Sequence, residues 1–148
     1  MSVGGPNRHP SAGGADPGAQ GGGDDEPGRE REPRRDDEAA LDDAALCIVL
    51  CTAPEKDAAR LARGLVQARL AACVARVPGL VSVYQWKGET HEDAEVQLVV
   101  KTTRARFPAV RDWLGANHPY EVPEILCVPV LDASAPYAAW VRGAIDDA

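Results

Sequence analysis

The sequence predicts an α+β fold: a ferredoxin-like βαββαβ sandwich, with helices on one face of a four-stranded antiparallel sheet and one further helix at the C-terminus. Three observations lead there. Apolar runs of strand type and of helix type follow one another in that order from residue 46 onward. Two strand-like segments, 72–86 and 94–102, adjoin across the polar stretch KGETHED, which makes them a hairpin. The last strand-like segment carries Pro123 and Pro129, each lacking a ladder donor, which suits an edge or irregular strand.

Each element has a local reason. ALCIVLC (45–51) is a short apolar run with β-branched members and reads as a buried strand. Pro54 then suits the first turn of a helix, where its missing N–H costs nothing. Leu61, Leu65, Ala68 and Ala72 recur at helical spacing, with Lys56, Arg60, Arg63 and Gln67 on the wet side. Gly64 inside that helix costs ~1 kcal/mol relative to Ala, so close packing is expected there. The strand 72–86 breaks at Pro78-Gly79, a bulge or bend. In 94–102, Val96, Leu98 and Val100 alternate with Glu95, Gln97, Val99 and Lys101. A second helix spans about 104–117, with Phe107, Val110, Trp113 and Leu114 apolar and Pro108 acceptable only in the first turn. The fourth strand covers 122–130. Ser134 can cap a last helix bearing Tyr137, Trp140, Val141, Ala144 and Ile145.

Right-handed crossovers give the spatial order 4-1-3-2. The sheet face away from the helices is also apolar, which predicts association. With strands 1 and 3 taken to run one way and 2 and 4 the other, one edge collects Cys51, Thr52, Lys101, Thr102, Cys73, His118, Tyr120 and Glu121. Strands 1 and 4 are neighbours, so Cys51 and His118 can meet.

Charge divides the chain into two parts. Residues 1–45 hold 5 Arg or Lys against 11 Asp or Glu, and 46–148 hold 11 against 12. The first part is rich in Gly, Pro and charge and is expected to be a disordered acidic tail, with His9 idle in it. The second, 46–148, is the folded domain; it is near neutral and has no basic stripe, which argues against nucleic acid. No apolar run approaches the ~20 residues of a membrane helix. No secretory leader is evident, so a cytoplasmic location with free thiols is expected.

The four cysteines do not form a zinc motif. Cys47 and Cys51 on an extended strand stand ~13 Å apart, beyond the ~7 Å disulfide limit. Cys47, Cys73 and Cys127 are expected as small core hydrophobes. A thiolate with an imidazole suits copper or zinc over magnesium or calcium, which makes Cys51 and His118 the candidate metal ligands, with Glu121 a weak helper. His91 is expected in the hairpin turn, in solvent. Nothing indicates an organic cofactor. There is no nucleophile–base pair, phosphate loop or carboxylate pair at helical spacing, so no enzyme is expected.

LCTAPEKDAARLARGLVQARLAACVARVPGLVSVYQWKGE, VVKTTRARFPAV, HPYEVPEIL and YAAWV together resemble the CutA divalent-cation tolerance family across about 46–146. The resemblance implies a tight cytoplasmic homotrimer concerned with divalent metals. It implies copper ligands at a Cys before TAP and at two adjacent histidines before PY. Cys51 and His118 occupy two of those positions, and Asn117 replaces the other histidine. It also implies clefts between subunits, for which Tyr84, Trp86, Lys101, Tyr120 and Glu121 are the lining candidates. An alternative reading is a trimeric scaffold or signalling-type protein binding a small ligand or protein partner in those clefts.

Overall fold

A computed structural model describes residues 42–146. The expected acidic tail, apart from its last four residues, lies outside the described residues. The elements are β1 (Leu46–Ala53), α1 (Glu55–Gln67), β2 (Cys73–Trp86), β3 (Glu89–Thr103), a 3-10 turn (Arg104–Arg106), α2 (Phe107–Asn117), β4 (Leu126–Pro129) and α3 (Ala135–Ile145). The sheet order is β2-β3-β1-β4, antiparallel throughout. This is the predicted α+β architecture.

Cys47, Val49, Cys51 and Ala53 of β1 point into one core with Leu61 and Leu65 of α1, Val96, Leu98 and Val100 of β3, and Val110 and Leu114 of α2. Leu46, on the opposite face of β1, packs with Ala138 and Val141 of α3. Elsewhere the edge strands leave apolar side chains open: Val77, Val81 and Val83 on β2, Leu126 and Val128 on β4.

Four expectations change. The strand directions are the first. β1 and β3 are hydrogen-bonded neighbours in an antiparallel sheet, so they must run oppositely. Cys51 pairs with Leu98, whereas Lys101 pairs with Ile48 and with Cys73, and Thr102 pairs with Cys47. Lys101, Thr102 and Cys73 therefore lie at the far end of the sheet from Cys51.

The second concerns α1, which ends at Gln67, short of Ala68 and Ala72. Arg69 takes φ 56°. Arg69 N–H donates to Val66 O and Leu70 N–H to Leu65 O, each at 3.0 Å. This Schellman closure satisfies the last carbonyls and turns the chain toward β2.

Third, the hairpin turn is only Lys87-Gly88, both at positive φ as a tight two-residue turn requires. β3 thus begins at Glu89, and His91 is a strand residue opposite Tyr84. The polar run KGETHED hid a strand because the distal ribbon is wet on both faces. Fourth, β4 is only four residues long, and 118–125 is irregular. The bulge at Val77/Leu80, with Gly79 at φ 81°, stands where Pro78-Gly79 predicted it. Ser134 occupies the N-cap of α3 but makes no capping bond with its side chain.

Candidate functional site: an acidic rim around Cys51 and His118

β1 ends at Ala53, and the segment after α2 runs back past that end before pairing with Leu50 as β4. The antiparallel β1–β4 pair therefore brings residues 118–125 to the rim that holds Cys51 and Thr52. His118 is buried there. One ring nitrogen, Nε2, is 2.8 Å from Thr52 O, and the other, Nδ1, accepts the Tyr120 N–H at 3.0 Å. Only a neutral ring protonated on Nε2 satisfies both contacts. Burial agrees, holding the imidazole below its usual pKa against weaker opposing effects from Thr52, Asp57 and Glu95.

The ring of His118 lies 4.6 Å from that of Tyr120. The Tyr120 hydroxyl reaches Glu95 Oε2 at 3.5 Å, and Tyr84 hydrogen-bonds Asp93 two residues along β3. Burial and the charges of Glu95 and Asp93 keep the Tyr120 phenol protonated well above its usual range. On the other flank, Arg60 of α1 pairs with Asp57 at 3.1 Å and donates to Asn117 O, also at 3.1 Å. Asn117 Nδ2 donates to Trp113 O at 2.8 Å, closing the end of α2.

Cys51 is fully buried, and its thiol is pushed up to about 12, by burial first and then by the charges of Glu124 and Glu95. The rim thus joins Cys51, His118, Tyr120 and Tyr84 to four carboxyls, those of Asp57, Asp93, Glu95 and Glu124. Sequence reasoning missed these four. Glu95 looked like the wet half of an alternating strand, yet it is buried, and Tyr120 returns across the rim to meet it. Of the other candidates, Lys101 stands at the opposite end, its Nζ 3.8 Å from Cys73 Sγ. Trp86 lies beside Lys87 at the distal turn, and Glu121 is exposed.

The family model for the CutA1 divalent ion tolerance protein matches residues 47–144. The chain belongs to the CutA1 family. It is 48% identical over 96 residues to the divalent-cation tolerance protein CutA of Thermus thermophilus, covering 64% of this chain and 93% of that one. The solved structure of that Thermus protein superposes with a TM-score of 0.64 at 46% identity, covering 66% of this chain and 96% of that one. Human protein CutA is 38% identical over 117 residues, which cover 78% of this chain and 65% of the human one. The structure described as the periplasmic divalent cation tolerance protein CutA from Archaeoglobus fulgidus gives a TM-score of 0.66 at 30% identity, covering 68% and 99%.

A divalent ion tested against this CutA1-family rim meets no preformed chelate. Among the described residues, no three of His, Cys, Asp and Glu gather closely enough to hold a metal. Both nitrogens of His118 are engaged, and the Cys51 thiol is closed to solvent. Cys51 and His118 do meet at one rim: His118 Nε2 lies 2.8 Å and Cys51 Sγ 3.7 Å from Thr52 O.

The buried thiols make alkaline pH destabilising. Cys47 and Cys51 are both raised to about 12 in the fold, whereas an unfolded thiol titrates near ~8.5. Their stabilising contribution is complete below that value and is lost as pH rises toward 12, by up to ~1.4 kcal/mol per pH unit for each thiol. Urea midpoints should be flat from about pH 7 to 8.5 and fall steeply above 9, and Cys51→Ala should remove part of that slope. An unchanged slope in this variant would mean that the thiol is not shielded.

Proposed function

We propose that the chain is a non-enzymatic, cytoplasmic homotrimer acting in divalent-cation tolerance, and that copper or a similar divalent ion is met at the Cys51–His118 rim. The ion is a ligand that comes and goes, not a resident cofactor. The observation that carries the reading is Glu95. Its side chain is 3% exposed, and Oε1 has no hydrogen-bond partner. Asp57 Oδ2 and Glu124 Oε2, on the same rim, are also buried and unpartnered. Buried oxygens without donors are costly, and a cation entering the rim relieves that cost. Carboxylate and imidazole together suit Cu(II) among divalent ions. His118 can serve only by releasing Thr52 O or the Tyr120 N–H, which weakens capture and suits a response to excess metal. Four free thiols fit a reducing compartment. The open apolar edges on β2 and β4 fit burial between copies.

A second reading is favoured by the engagement of both His118 nitrogens. In it the trimer is a scaffold, and clefts between copies, lined by Tyr84, Trp86, Lys101, Tyr120 and Glu121, take a small ligand or protein partner. Calorimetric titration of metal-stripped protein with Cu(II) separates the two. On the rim reading, Glu95→Gln weakens binding by about tenfold or more, in the range for a group supporting a metal site, and Cys51→Ala also weakens it. Affinity unchanged in both variants sinks the rim and leaves the scaffold. A solution mass of one chain sinks the trimer in either case.

A further inference from the structure

Two cysteines away from the rim face one another across neighbouring strands. In the β1–β4 ladder Cys47 pairs with Pro129 and Val49 with Cys127, so Cys47 and Cys127 are diagonal neighbours on one face of the sheet. The Cys127 thiol, after burial, helps to hold Cys47 protonated. Both are free. Cys47 is 1% exposed, while Cys127 is half-buried in the single chain, on an edge strand. Arg104 Nη1 lies 3.8 Å from Cys127 Sγ. The guanidinium also acts on Cys47, favouring its thiolate against the larger effects of burial and Cys127.

The register decides what such a pair can do. Diagonal residues stand ~7–8 Å apart along the backbone, whereas a disulfide needs Cα atoms at ~4.4–6.8 Å. Oxidation would have to displace the edge strand. A bridging ion would not. With sulfur–metal bonds of ~2.3 Å, two thiolates in line with one ion are ~4.6 Å apart, a span that side chains on diagonal positions ~7–8 Å apart can close without moving the strand. Soft sulfur ligands select Cu(I) among biological ions. The charge agrees: two thiolates and one monovalent ion carry one net negative charge, and Arg104 stands beside it to neutralise it. A divalent ion would leave Arg104 against a neutral site.

We propose that Cys47 and Cys127 form a two-coordinate site for a thiophilic monovalent cation of the Cu(I) type, with Arg104 as its counter-charge. Each sulfur gives up its proton to solvent and donates the freed electron pair to the ion; two protons are released and no oxidation state changes. Cys51 lies four residues along β1, ~13 Å away on an extended strand, so this site stands apart from the rim and does not depend on the function proposed for it.

The test is anaerobic titration of the reduced full chain with Cu(I) against a chromophoric competing chelator, with X-ray absorption on the loaded wild type. One Cu(I) per chain and two sulfur neighbours with no nitrogen are expected. Cys127→Ala and Cys47→Ala should each weaken binding by more than ~100-fold, and Arg104→Gln by about tenfold, as for a second-shell partner. Cys73→Ala should leave it unchanged. If Cys47→Ala fails to fold by circular dichroism, Cys127→Ala and the wild-type spectrum still decide the matter. Retained affinity without Cys127, nitrogen in the coordination shell, or loss of binding on removing Cys51 overturns the site.

Discussion

His118→Ala is expected to lower the unfolding free energy of the metal-free protein by about 2–4 kcal/mol. The ring joins three segments: its own position after α2, the end of β1 through Thr52 O, and the approach to β4 through the Tyr120 N–H. Removing it leaves a buried carbonyl and a buried amide unpaired, at ~1–3 kcal/mol each when no water replaces the partner. The Tyr120 ring also loses its neighbour at 4.6 Å. Urea unfolding at fixed protein concentration measures the loss. A standing metal ligand behaves otherwise: its removal leaves metal-free stability unchanged or improved, and either result would refute the brace. The pH dependence gives a second signature. Burial lowers the folded pKa of His118, so the unfolded chain takes up the proton first. The contribution is complete above the unfolded value, ~6.5, and is lost as pH falls from there through the folded pKa. His118→Ala should lose this acid-side slope, and a metal titration of that variant must be read with the stability loss in hand.

The topology and the core were legible because periodicity follows from burial. Val96, Leu98 and Val100 alternate in β3 because one face meets helices, and all three are buried as the pattern required. Local chemistry was equally informative at Pro78-Gly79 and at Pro108, which lies in the first turn of α2. Meetings between distant residues were harder to read. Cys51 and His118 share a rim because β1 and β4 are antiparallel neighbours, and that much followed from strand order. Lys101 was misplaced by giving neighbouring strands the same direction. Glu95 and Glu124 carry no local mark of burial; their environment is made by Tyr120 and Cys51, distant in sequence. The Cys47–Cys127 contact depends on register, which neither sequence segment encodes alone. HPYEVPEI proves to be a wrapped approach to β4: His118 and Tyr120 turn inward, and Glu121 faces solvent.

Gly64→Ala should destabilise the fold by about 2 kcal/mol, the reverse of what helix propensity predicts. Inside an exposed helix the change gains ~1 kcal/mol. Here a Cβ on Gly64 would overlap Cζ2 and Cη2 of Trp113 on α2. That ring packs against the main core, so it cannot swing out without losing burial worth ~1.5–3 kcal/mol for a large apolar side chain, and overpacking costs ~1–3 kcal/mol where it stays. Trp113→Ala supplies the control. With the ring gone, Gly64→Ala should become stabilising by ~0.5–1 kcal/mol, so the two changes couple by ~2–3 kcal/mol. A stabilised single variant would show that the helices are not held at this distance by the glycine. The spacing also reaches the rim. α1 carries Asp57 and Arg60, and Arg60 donates to Asn117 O at the end of α2, one residue before His118. Pushing α2 off α1 at Gly64 therefore moves the imidazole relative to Thr52 O. The variant should show a shifted His118 ring resonance as well as lost stability, because the contact that packs the two helices also sets the geometry of the site.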